Sequence, residues 1–93
     1  MKITHEENPR KGVFTADIDG KRAGEMTYTW ASDQRFIIDH TEVDPAFSGQ
    51  GVGLHLVDAS VQFARKSGVK IMPLCPFAKK MFERHTEWQD ILF

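Results

Sequence analysis

One junction constrains this chain more than any other stretch. RFIIDHTEV, Arg35 to Val43, is β-prone, and Pro45 ends it. Gly49, Gly51 and Gly53 then alternate with Gln50 and Val52, and a helical pattern begins. Amides in the first turn of a helix have no intrahelical acceptor, and the helix dipole adds partial positive charge there. Glycine removes the Cβ that would hold a ligand away. Such a loop suits a phosphate or diphosphate and needs no lysine. The GxxxxGK[ST] pattern is absent, and Gly51 and Gly53 run on into Leu54, His55 and Leu56, so GxGxxG fails as well. ATP and NAD are therefore disfavoured. The plain alternative is a loop whose glycines serve turn geometry alone.

The segments around this junction define the architecture. Lys2–Glu7 and Val13–Ile18 read as strands, separated by the breakers Asn8, Pro9 and Gly12. Asp19-Gly20 signals a hairpin, since a type I′ turn needs positive φ at both central positions. A third strand runs from about Arg22 to Trp30, with Met26, Tyr28 and Trp30 alternating with Thr27 and Thr29. In the fourth strand, period two puts Phe36, Ile38 and His40 on one face and Ile37, Asp39, Thr41 and Val43 on the other. From Gly51 to about Lys66, the spacing of Val52, Leu56, Val57, Val61, Phe63 and Ala64 predicts a helix, with Gly68 as its left-handed stop. Val69–Cys75 reads as a fifth strand, at an edge or bulged because of Pro73. Pro76 opens a second helix that directs Phe77, Met81 and Phe82 to the core, and a final short turn packs Trp88 and Ile91. The order is β-β-β-β-α-β-α. Four meandering strands and one βαβ unit predict a mixed, mostly antiparallel five-stranded α/β sheet.

Ninety-three residues make one domain, 1–93, with one modest core. The net charge of −1 argues against a nucleic-acid binder. The only cysteine, Cys75, rules out an internal disulfide and a multi-cysteine zinc site, and the four histidines form no HExxH pattern, so no metal is expected. No apolar run approaches the ~20 residues that span a bilayer. With no signal-peptide core visible, a cytoplasmic protein without membrane contact is the expectation. A small sheet with open edges suggests a monomer or weak homodimer.

The segment VDPAFSGQGVGLHLVDASV resembles the acetyl-CoA-binding signature [QR]xxGx[GA] of the GNAT N-acetyltransferase superfamily. Gly51 and Gly53 match its small residues, while Ser48 stands where glutamine or arginine is usual. Together with IDHTEV, CPFAKKMFERH and EWQDIL, the chain is similar to a compact branch of uncharacterised single-domain GNAT proteins of about this length. The resemblance implies a minimal GNAT fold in which the fourth and fifth strands splay apart. It implies that the pantetheine arm of acetyl-CoA pairs with Thr41, Glu42 and Val43. The diphosphate would rest on Gly49, Gln50, Gly51, Val52 and Gly53, the thioester would point toward His40 and Cys75, and Ser48, Pro76 and Phe77 would be further cofactor-binding residues.

The expected reaction is transfer of an acetyl group from acetyl-CoA to an unidentified primary amine, on a small molecule or a protein. His40 is the natural base by intrinsic pKa, with Glu42 second. Cys75, at the N-cap of the second helix, is placed to have a lowered thiol pKa and to serve as acid or nucleophile. The bland readings are a hydrogen-bonded strand histidine and a buried small residue. Lys79, Lys80 and Arg84 read as a solvated helix face. The alternative function is a CoA-binding module with weak or no catalysis that acts through a protein partner.

Overall fold

A computed structural model describes all residues, Met1–Phe93. Strands β1 (Lys2–Glu7), β2 (Lys11–Ile18), β3 (Lys21–Ser32) and β4 (Arg35–Val43) form an antiparallel meander. A 3-10 turn at Pro45–Phe47 leads to helix α1 (Val52–Ser67). Strand β5 (Lys70–Pro73) returns parallel to β4, and α2 (Pro76–Arg84) and a 3-10 turn at Thr86–Ile91 follow. The sheet order is β1-β2-β3-β4-β5, as the segment pattern predicts. Asp19 and Gly20 take φ values of 51° and 78°, the hairpin geometry the dipeptide signals.

Register sorts the side chains. One face stacks His5, Phe14, Met26 and Thr41 in one row and Gly12, Tyr28, Ile38 and Pro73 in the next. α1 lays Val52, Leu56, Val57, Ser60, Val61 and Ala64 into the core. Ala78 and Phe82 of α2, together with Trp88 and Ile91, belong to the same cluster of 19 buried residues. The buried Ser60 hydroxyl is satisfied by the Val57 carbonyl at 2.6 Å. The other sheet face carries Thr4, Thr27, Thr29, Glu25, His40 and Glu42.

Two expectations are corrected. The register passes from Thr27↔His40 to Tyr28↔Ile38, so Asp39 has no partner and forms a β-bulge. The extra residue resets the alternation. Thr41 and Val43 join Phe36 and Ile38 on the core face, while Asp39 and His40 are both exposed. In α2 the core residues are Ala78 and Phe82; Met81 is half-buried and Phe77 is 37% exposed. Fixing the helix phase on Ala78 and Phe82, four residues apart, turns Phe77 toward the rim.

A polar knot ties β1 to the core. The Tyr28 hydroxyl donates to Glu7 Oε2 at 2.6 Å, and Trp30 Nε1 donates to the same oxygen at 3.0 Å. With that proton committed, His5 Nε2, 2.5 Å away, is the donor to the Tyr28 oxygen. The His5 ring also stacks on Phe14 at 4.1 Å. Burial holds the His5 pKa below its usual value, with Glu7 partly opposing. Burial and Glu7 push that of Tyr28 far up.

Candidate functional site

The site grows from where β4 and β5 part. Their ladder pairs Arg35 to Ile38 with Lys70 to Pro73 and ends there; one more bond, Cys75 N–H to the Ile38 carbonyl at 3.2 Å, closes it. Pro73 offers no N–H to continue the ladder. From His40 to Val43, β4 pairs only with β3, and the bulged Asp39 pairs with neither neighbour. In a strand, alternate residues direct their N–H and C=O groups to opposite edges, so this stretch presents backbone donors and acceptors to an open gap. Thr41, Glu42 and Val43 all lie on it.

The loop above the gap is built to leave amides free. Asp44 caps its own turn, accepting from the Ala46 N–H at 2.9 Å. Ser48, Gly49, Gln50 and Gly51 are exposed. Gly51 is the N-cap of α1 at φ 74°, in the left-handed region that other residues enter only with strain, and Gly49 sits at φ 81°. Having no side chain, Gly51 makes no cap hydrogen bond, and no acidic residue lies in the first turn. The helix start therefore keeps its partial positive charge unsatisfied by protein.

The glycines divide the work. A Cβ on Gly49 would meet nothing, and one on Gly51 would only approach His55 Cδ2 at 3.7 Å. A Cβ on Gly53, which is buried, would fall 2.2 Å from Phe77 Cζ. Here glycine accommodates an aromatic ring, not open space. The ring of Phe77 thus reaches from the first turn of α2 to the first turn of α1. The exposed His55, four residues after the N-cap glycine, is the side chain nearest to Gly51; the sequence reading assigned it no role.

Cys75 is the N-cap of α2 and only 5% exposed. Its thiol donates to Thr41 Oγ1 across the gap at 3.5 Å. Burial pushes the thiol pKa up, but the Phe77 and Ala78 amides at the helix start and the Thr41 hydroxyl favour the thiolate more strongly, and the net shift is downward. Cys75 and Thr41 therefore meet at the core side of the gap. His40 does not join them: it points from the opposite face, beside Thr27 and next to Glu42. No group of three or more His, Cys, Asp or Glu residues is arranged to hold a metal. No helix is long and apolar enough to cross a membrane.

The model of the GCN5-related N-acetyltransferase family matches residues 13–91. The chain belongs to that family. An NMR structure of a GCN5-like putative N-acetyltransferase from Staphylococcus aureus superposes on this GNAT chain with a TM-score of 0.72 at 33% identity, covering 97% of this chain and 87% of that one. A Mycobacterium tuberculosis protein solved in complex with CoA reaches a TM-score of 0.67 at 28% identity over 80% of this chain and 46% of its own. An uncharacterised N-acetyltransferase of Methanocaldococcus jannaschii is 32% identical over 69 residues. That match takes in 68% of this GNAT chain and 30% of the relative, so the chain spans under a third of that protein's length.

Proposed function

We propose that this GNAT chain transfers an acetyl group from acetyl-CoA to a primary amine. One observation carries the reading: the open edge of β4 from Asp39 to Val43 runs from an uncapped helix N-terminus to a thiol of lowered pKa. A diphosphate at Ser48 to Gly53 would take the free amides of α1. The two amides of a pantetheine arm would extend the sheet along Thr41, Glu42 and Val43. Pro76 and Phe77 would border the thioester end. The CoA-bound relative supports this choice of ligand.

The amine nitrogen attacks the thioester carbonyl, the C–N bond forms, and the C–S bond breaks. The departing thiolate takes a proton from Cys75, whose lowered pKa makes it the better donor. His40, with Glu42 beside it, takes the proton lost by the acceptor nitrogen. Because His40 stands on the face away from Cys75, the acceptor enters the gap from the His40 side while the thioester arrives from the other. That same separation is what favours the second reading, a CoA-binding module with little catalysis, since acid and base do not converge in the free protein.

Incubation with acetyl-CoA and an amine library, followed by mass analysis of protein and products, tests the proposal. Acetylated amine is expected, with Cys75→Ala and His40→Ala each slowing turnover by roughly 10²-fold or more while CoA binding persists. Binding without turnover leaves the second reading standing. No uptake of CoA at millimolar concentration defeats both.

A further inference from the structure

The bulge in β4 poses a choice that the core does not make. Ile38 and Thr41 both face the core, so two residues stand where strict alternation allows one. Burial demands an extra residue there but is met equally by Asp39 or His40. The observed register gives His40 to Thr27 and leaves Asp39 unpaired. Of the two, Asp39 has the side-chain partner: Thr29 Oγ1 donates to its Oδ2 at 2.5 Å. Thr29 is itself paired with Ile37, so the carboxylate reaches back to it diagonally, away from the row that holds His40. Thr27, Thr29 and Asp39 also line one open groove of about 740 Å³.

We propose that Thr29 and Asp39 are positioning residues for His40. Their bond ties down the extra residue of the bulge, and His40 is thereby the one set across from Thr27, on the acceptor side of the sheet. The inference rests on the acetyl-transfer reading above, in which His40 takes the proton of the acceptor nitrogen. A general base acts only from within hydrogen-bond reach of the atom it deprotonates. A register with Asp39 across from Thr27 and His40 bulged out displaces it. Because Thr27 lines the same groove as Thr29 and Asp39, the bond and the base border one open space. In both registers Thr41 stays across from Met26, so Cys75 keeps its neighbour. The bond therefore acts on turnover and not on CoA uptake.

The test uses the intact chain. NMR contacts between the His40 and Thr27 side chains are expected in the wild type, in Thr29→Ser, whose hydroxyl still donates, and in Asp39→Asn, whose amide oxygen still accepts. They weaken in Thr29→Val and Asp39→Ala, where contacts from position 39 to Thr27 appear. Acetyl transfer follows the same division. In Thr29→Val and Asp39→Ala, kcat drops by roughly 10- to 100-fold, as for a catalytic group displaced by about an ångström, and it returns in Thr29→Ser. The KM for acetyl-CoA and the alkylation rate of Cys75 keep their wild-type values in all four variants. Unchanged His40–Thr27 contacts in Thr29→Val show that packing alone chooses the register, and the proposal falls. It falls equally if Thr29→Ser loses as much turnover as Thr29→Val. If the wild type itself transfers no acetyl group, the function reading fails, and the NMR contacts alone decide whether the Thr29–Asp39 bond sets the register.

Discussion

At the scale of single residues, the site depends on two kinds of exactness. Gly51 sits at φ 74°, so Gly51→Ala is expected to cost about 1–2 kcal/mol, read from urea midpoints, whereas Gln50→Ala on the exposed loop stays within about 0.5 kcal/mol. Cys75 depends on its neighbours for its acidity. The rate of its alkylation by iodoacetamide should reach half-maximum below the pH of an ordinary thiol, and Thr41→Val, which removes one thiolate donor, should move that midpoint upward. An unmoved midpoint would mean that the helix start alone sets the shift. The sequence made the loop and the N-cap position of Cys75 legible, because Pro45, the glycines and Pro76 are local signals. It did not make the facing of His40 legible. A bulge at Asp39 adds one residue, leaves no mark in an alternating pattern, and exchanges the faces of everything after it.

At the scale of elements, β1 is held by side chains more than by depth. None of its residues is fully buried, and its attachment runs through His5, Tyr28 and Glu7. Tyr28→Phe removes both hydroxyl bonds and should cost about 1–3 kcal/mol, measured by chemical denaturation. The pKa of His5 is lowered on folding, so the folded state favours the neutral ring. The stability this contributes is full above the unfolded value of ~6.5 and is lost as pH falls through the folded pKa. His5→Phe should flatten that part of the stability–pH curve; an identical slope in the variant would sink the assignment. The strands and helices were readable to within a few residues because turns punctuate them. The phase of α2 was not, since Phe77, Met81 and Phe82 are all apolar and only packing against Trp88, 5.5 Å from the Phe82 ring, decides which turns inward.

At the scale of the whole molecule, one cluster of 19 buried residues holds every element except β1 and the loop, so unfolding is expected to be a single transition. Phe36 is fully buried and meets the rings of Tyr28, Trp30 and Phe63. Phe36→Ala should cost about 3–5 kcal/mol, a large share of the stability of about 5–14 kcal/mol expected for a chain this size. Calorimetry should show the transition at a much lower temperature and still single. The outer side of β5 is partly occupied, by the Ile71–Leu92 bridge and the Phe93 N–H bonded to the Ile71 carbonyl at 2.9 Å. That leaves β1 as the long unguarded margin, and it is sprinkled with Lys2, Glu6 and Glu7. Lateral stacking of molecules into ribbons would have to begin there, against unshielded charge, and raising the ionic strength is the condition under which such growth becomes easiest.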